Sequence, residues 1–302
     1  MPAAYTRLTL PILFVLLWSA ATAKRNAFWR DDLTLWWDAV RRSPEMPRAR
    51  VNLGKAYNER GDPERALDEY RAALKIDASF EEGHYNMGNA YRALGMLGEA
   101  IDAYRKALEI RPGHLDAHNN LGNLYQRVGL FEKAAAEYER VLQLNPYFEG
   151  AHSNLGALYQ SMGRVDQAIM EYRKALTINP DFKDAHNNLG YAYASKGWVD
   201  EAIGAYRRAL RIDPGFEEAR GNLANLYRSL GRLDEAISEY QRIVEVKPDH
   251  EMVYYQLGTL YEEKGEYKAA VQYYRAFLDR WRGDAKHLEK ARERMARLKA
   301  SY

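Results

Sequence analysis

The sequence predicts an all-α solenoid of paired helices, and three observations predict it. From Pro47 to Asp284 the chain divides into seven units of 34 residues without an insertion, beginning at Pro47, Glu81, Leu115, Glu149, Lys183, Glu217 and Glu251. A glycine marks the middle of every unit, at Gly61, Gly95, Gly129, Gly163, Gly197, Gly231 and Gly265. Small residues recur beside it, first as Gly54, Gly88, Gly122, Gly156, Gly190, Ala224 and Gly258, then as Ala66, Ala100, Ala134, Ala168, Ala202, Ala236 and Ala270. A unit of this size cannot bury its own apolar face, so it must stack on its neighbours.

Each unit reads as two amphipathic helices around a tight turn. The mid-unit glycine supplies the left-handed backbone that ends the first helix. The small residues let the two helices approach closely. Prolines at 112, 146, 180, 214 and 248 stop the second helix, and Ala78 in the first unit predicts a softer boundary there. Tyrosine recurs in the first helices (Tyr57, Tyr91, Tyr125, Tyr159, Tyr193, Tyr227, Tyr261) and in the second (Tyr70, Tyr104, Tyr138, Tyr172, Tyr206, Tyr240, Tyr274). Its fixed spacing beside small residues favours packing between helices over a ligand-stacking platform.

Stretches such as Ala117 to Gly129 (AHNNLGNLYQRVG) and Asp234 to Pro248 (DEAISEYQRIVEVKP) closely resemble the tetratricopeptide repeat (TPR). The resemblance implies a right-handed TPR superhelical solenoid, with a concave face lined by first helices that usually holds a peptide. It says little about which partner is bound.

Composition removes several alternatives. Lys plus Arg is 44 against 42 for Asp plus Glu, which gives no electrostatic reason to expect nucleic acid. With no cysteine there is no disulfide scaffold, Cys-zinc site or thiol nucleophile. No Gly-rich phosphate loop, HExxH or nucleophile elbow is present. His84, His118, His152 and His186 recur once per unit, but stacked helices lie ~8–10 Å apart while zinc needs ligands at ~2 Å. These histidines read as packing residues. No enzyme, cofactor, metal or small-molecule substrate is expected.

The ends differ from the repeats. Residues 8–23 (LTLPILFVLLWSAATA) are uncharged, somewhat shorter than the roughly 20 residues a spanning helix needs. Residues 1–23 therefore read as a membrane anchor helix or as a signal peptide ending at Ala21-Thr22-Ala23. Residues 24–46 form a junction whose Asp32 to Pro44 stretch stands in register with a second helix, Trp36 replacing the tyrosine and Ala39 the small residue. Lys24, Arg25 and Arg30 behind an uncleaved helix favour repeats in the cytoplasm. The run from Arg25 to Tyr57 is similar to the junction of transmembrane O-mannosyltransferase-like TPR proteins, which implies an extracytoplasmic array, membrane-anchored or secreted. Their catalytic portion has no counterpart here. At the other end, residues 285–302 place Leu288, Ala291, Met295, Leu298 and Tyr302 at helical spacing, as a cap over the last repeat requires.

One recurring position has no evident packing reason. Asn52, Asn86, Asn120, Asn154, Asn188 and Asn222 occupy the same place in six successive first helices, and Gln256 continues the series. Asn89, Asn123, Asn119, Asn187 and Asn225 keep their surroundings polar and uncharged. An amide offers a donor and an acceptor together, so it can pair with a peptide backbone whatever the peptide's side chains. The series is similar to the asparagine ladder of the O-GlcNAc transferase TPR groove, which implies binding of extended protein segments. A carboxylate clamp is matched only in part, by Lys55 with Asn52. The functional expectation is a protein-binding scaffold. The alternatives are an assembly subunit docked on a membrane complex through Trp29, Trp36, Trp37 and the apolar segment, or a substrate-presenting module of a membrane glycosyltransferase.

Overall fold

The computed structural model describes residues 31–299. The apolar segment, Trp29 and Tyr302 lie outside the described residues. Among the described residues there are sixteen α-helices and no strand, and no helix is long and apolar enough to cross a membrane. The chain forms two compact units, one ending at Asn145 and one beginning at Pro146.

The first unit holds α1 (Asp32–Arg42), α2 (Pro47–Glu59), α3 (Pro63–Ile76), α4 (Glu81–Ala93), α5 (Leu97–Ile110), α6 (Leu115–Arg127) and α7 (Phe131–Leu144). The second holds α8 (Glu149–Ser161), α9 (Val165–Ile178), α10 (Lys183–Ser195), α11 (Val199–Ile212), α12 (Glu217–Ser229), α13 (Leu233–Val246), α14 (Glu251–Glu263), α15 (Tyr267–Arg280) and α16 (Ala285–Lys299). Within each unit the helices pair in sequence order, and each pair packs on the next. First helices of adjacent repeats also touch directly, α2 with α4, α8 with α10, and α10 with α12.

The turn glycine does what its position demands. Gly129 has φ 78°, and beyond it the Leu130 N–H closes back on the Tyr125 carbonyl at 2.8 Å. That bond satisfies a carbonyl which the helix end would otherwise leave open. All seven turn glycines share the positive φ.

The second helices end two residues before each proline, because the residue preceding proline is driven to extended backbone. Arg111, for example, has φ −128° and ψ 87°. The softer boundary expected at Ala78 does not occur. α3 ends at Ile76, and Asp77 adopts the same extended geometry, φ −138° and ψ 99°. The Asp77 carboxylate accepts from the Ser79 N–H at 2.9 Å and the Ser79 hydroxyl at 2.7 Å, the turn that Asn179 and Asp213 also make beside their prolines, and here it forms without one. This local turn competes with helix continuation.

The cores are built from the tyrosines and small residues. Val51, Ala66, Leu67, Tyr70, Ala73 and Ala90 form one cluster in the first unit. In the second, a larger cluster runs from Ala168 to Leu260, and Tyr254, Tyr255, Tyr274 and Phe277 form another with Ala291 and Leu298 of α16. The terminal helix therefore covers the last apolar face, as a stacked array requires.

Candidate functional site

The first-helix face carries the candidate site, and the second-helix tyrosines build it from below. Each of Tyr70, Tyr104, Tyr138, Tyr172, Tyr206 and Tyr274 lays its ring across the glycine of the partner first helix. In the sixth repeat Ala224 takes that place opposite Tyr240. The rings are buried, yet several hydroxyls reach first-helix polar groups. Tyr104 donates to Asn89 Oδ1 at 2.7 Å, Tyr138 to Asn123 Oδ1 at 2.6 Å, and Tyr240 to Asn225 Oδ1 at 2.8 Å. Asn89, Asn123 and Asn225 thus help satisfy tyrosine hydroxyls on buried rings, Asn123 together with Gln126 at 3.2 Å. Burial pushes the Tyr104 hydroxyl up to about 12, so it remains a neutral donor.

The main asparagine series is not uniform. In the first unit, Asn120 Nδ2 donates to the Tyr85 hydroxyl at 3.3 Å and to Asn89 Oδ1 at 3.4 Å, bridging to the preceding repeat. In the second unit Asn222 Nδ2 does the same to Asn187 Oδ1 at 3.0 Å. Asn187 is 2% exposed and passes its own Nδ2 to Glu218 at 2.9 Å. Asn86, also buried, donates to the Glu82 carbonyl one turn back in its own helix at 2.7 Å. Asn119 and Asn154 are half-buried and hold internal contacts. Asn52 and Asn188 are half-buried and have no side-chain hydrogen bond among the described residues.

Two hollows open on this face. In the first unit, Asn58, Tyr85, Asn89, Arg92, Asn120 and Arg127 surround about 580 Å³. In the second, Gln160, Asn187, Asn188, Tyr191, Glu218 and Asn222 line about 380 Å³. Asn89 and Asn120 meet in one hollow; Asn187, Asn188 and Asn222 meet in the other. Both open to solvent.

Sequence profiles described as TPR repeat match residues 54–95, 88–129 and 159–197, and profiles described as tetratricopeptide repeat match 115–148, 195–255 and 253–280. Together these cover well over half of the chain. It belongs to the tetratricopeptide repeat family. No curated protein sequence matches it. Among solved TPR structures, MamA shares 30% identity over 54% of this chain and 95% of its own, with a TM-score of 0.50. YrrB, described as a TPR protein with an unusual peptide-binding site, shares 26% identity over 61% of this chain and 95% of its own, also at 0.50. A tetratricopeptide repeat protein from Parabacteroides merdae ATCC 43184 aligns with 83% of this chain and 98% of its own at 20% identity and a TM-score of 0.64, which shows the fold. TPR proteins generally mediate protein–protein interaction.

The TPR histidines have a structural task. The fourth residue of each first helix bonds the carbonyl six residues earlier, in the loop that delivers the helix. Arg50 reaches Pro44 at 2.9 Å, His84 reaches Ala78 at 3.0 Å and His118 reaches Pro112 at 3.0 Å. His152 reaches Pro146 at 3.3 Å, His186 reaches Pro180 at 2.9 Å, Arg220 reaches Pro214 at 2.7 Å and Tyr254 reaches Pro248 at 2.9 Å. Three residue types with one shared contact are best explained by the loop carbonyl they satisfy. No metal-holding group of side chains occurs among the described residues.

Arg92 and Arg127 were not singled out by sequence reasoning. Their signal was available: they stand near the ends of first helices where the fourth repeat has Gln160 and Ser161.

Proposed function

We propose that this TPR chain is a scaffold that binds extended peptide segments on its first-helix faces, with the asparagine series pairing to the peptide backbone. The observation that carries the reading is the clustering of first-helix asparagines around the two hollows, with tyrosine beside them. Each asparagine supplies ~0.5–1.5 kcal/mol net, and ordering a flexible peptide takes back ~2–5 kcal/mol. Binding is therefore weak and tolerant of sequence unless side-chain pockets add to it. The peptide-binding description of YrrB supports the same reading.

The test is a fluorescence-polarisation titration of an uncharged, labelled Ser-Gln-Val repeat peptide against the full chain and against N120A/N154A/N188A. Affinity falls by tenfold or more in the variant while far-UV circular dichroism is unchanged. Equal affinity for both proteins sinks the ladder. Asn187→Ala is the control. It lies one residue from Asn188 but is bonded inside the array, so it lowers stability by about 1 kcal/mol, whereas Asn188→Ala leaves stability within roughly 0.5 kcal/mol.

A second reading, docking on a membrane complex, draws on α1. That helix has no fully buried residue and leaves Trp37 47% exposed. Deleting residues 1–46 removes membrane association on this reading and spares peptide binding.

A further inference from the structure

We propose that the hollow in the first unit, lined by Tyr85, Asn89, Arg92, Asn120 and Arg127, holds a carboxylate side chain, aspartate or glutamate, of an extended peptide. The inference rests on the peptide-binding reading and adds the chemistry of one partner residue.

The first observation is uncompensated charge. Cations at the ends of the first helices elsewhere are matched by acids. Arg60 pairs with Asp31 at 2.5 Å, Lys196 with Asp166 at 2.9 Å, Lys264 with Asp234 at 2.7 Å, and the Arg228 Nε bonds Glu263 at 2.9 Å. Arg92 and Arg127 are both exposed and line one hollow, and neither has a carboxylate within ion-pair distance among the described residues. A favourable helix dipole accounts for one cation at each helix end. It does not account for two guanidinium groups, from successive repeats, converging on one cavity with no acid in ion-pair contact and Asp116 as the acid acting on Tyr85 beside them.

The second observation is the balance of donors and acceptors. Asn89 Oδ1 already receives the Tyr104 hydroxyl and Asn120 Nδ2, and the Tyr85 hydroxyl also receives Asn120 Nδ2. Those acceptors are therefore turned toward the protein. What stays available to a ligand is weighted toward donors: Asn89 Nδ2, the Arg127 guanidinium and the Arg92 guanidinium, part of which reaches the Tyr104 hydroxyl, against the acceptor Asn120 Oδ1. Arginine presents planar paired donors that match a carboxylate, and charge-assisted bonds are the stronger kind.

The third observation is contrast. The hollow of the second unit is lined by no arginine or lysine and includes Glu218. Of these two hollows on the first-helix face, the first alone has a cationic lining, and it has no acid in that lining.

The experiment uses the full chain and labelled Ser-Gln-Val repeat peptides that carry, at the centre, Glu-Glu, Gln-Gln or a single phosphoserine. At low salt the Glu-Glu peptide binds roughly tenfold more tightly than the Gln-Gln peptide, equivalent to ~1.4 kcal/mol. That advantage disappears in R92Q/R127Q and shrinks at 1 M salt, where charges are screened within ~3 Å. Both arginines are exposed, so the variant retains its fold. Equal binding of the Glu-Glu and Gln-Gln peptides by the wild-type chain overturns the proposal, as does an advantage that survives R92Q/R127Q. A phosphoserine peptide that outcompetes Glu-Glu overturns the carboxylate assignment in favour of phosphate. Arginine-dependent binding of Glu-Glu without any binding of Gln-Gln upholds this site and sinks the backbone ladder. Failure of all three peptides to bind at millimolar concentration ends both readings.

Discussion

His118 Nδ1 stands 2.6 Å from Glu137 Oε2, while its Nε2 faces the Pro112 carbonyl at 3.0 Å. Two acceptors around one ring suit the doubly protonated imidazolium. Burial lowers the affinity of His118 for its second proton, and Arg140 adds to that, but Glu137 and the Pro112 carbonyl outweigh both and raise the pKa above its ordinary value. His186 holds the equivalent position two repeats on, with Ala205 where Glu137 would be. Burial dominates there and lowers its pKa.

The two histidines therefore titrate on opposite sides of the unperturbed value of ~6.5. For His118 the folded pKa is raised. Its stabilisation is complete below the unfolded pKa and is lost as pH rises through the folded pKa. For His186 the folded pKa is lowered, so the stability linked to its neutral form is present above the unfolded pKa and is lost as pH falls through the folded one. Imidazole carbon-proton resonances followed by NMR from pH 5 to 8.5 place the His118 midpoint above that of His186. Glu137→Gln brings His118 down, and Ala205→Glu brings His186 up. Indistinguishable midpoints in the wild-type chain would refute the assignment.

The helix starts, the turn glycines and the capping helix were legible because periodicity encodes them directly. Every first helix from α2 to α14 begins at the residue where its 34-residue unit begins. The candidate site was less legible, for a geometric reason. Adjacent residues on a helix point about 100° apart, and several first-helix positions near the same face are all polar. Asn187 and Asn188 are identical in type, neighbours in sequence and both at the hollow, yet one is 2% exposed and bonded to Asn222 and Glu218 while the other is half-buried with no side-chain hydrogen bond among the described residues. The partners of Asn187 lie 31 and 35 residues away. No local pattern says which amide is drawn inward. The boundary at Ala78 failed for a simpler reason: proline is one way to stop a helix, and Asp77 with Ser79 is another.

Gly122 tests the packing rule. A Cβ placed there would meet Tyr138 Cε1 at 2.7 Å, closer than side-chain carbons normally approach. The opposing ring is buried and has little room to move. Gly122→Ala gains ~0.5–1 kcal/mol from helix propensity and loses ~1–3 kcal/mol from overpacking, for a net loss of about 1 kcal/mol. Gly122→Val is worse, because a branched chain adds volume where even one methyl collides. In the sixth repeat the backbone already accommodates Ala224 opposite Tyr240, so Ala224→Gly gives up propensity without relieving a clash and also destabilises, by ~1 kcal/mol. Urea denaturation of the three variants measures all of this. A stabilising Gly122→Ala would show that the Tyr138 ring yields freely.

Glu262 tests the terminal cap. Its carboxylate takes the Tyr274 hydroxyl at 2.6 Å and Arg294 at 3.1 Å, and Arg297 reaches its other oxygen at 2.5 Å. One acid thus joins α14 and α15 to Arg294 and Arg297 of α16. Burial alone would raise the Glu262 pKa, but Tyr274 and the two arginines overcome it and hold the carboxyl below its ordinary value. A depressed carboxylate contributes stability above its unfolded pKa, ~4.3, and that contribution is lost as pH falls through the folded pKa. Loss of the charge leaves two arginines on α16 without their acid, while Ala291 and Leu298 still pack against the Tyr274–Phe277 cluster. Glu262→Gln should therefore loosen α16 without unfolding the repeats beneath it. Hydrogen-exchange mass spectrometry at neutral pH reads this as faster exchange across residues 285–299 with little change in α12 and α13, and the wild-type chain reproduces the effect when acidified through the folded pKa of Glu262. Uniform protection in the variant would mean that apolar contact alone seats the cap.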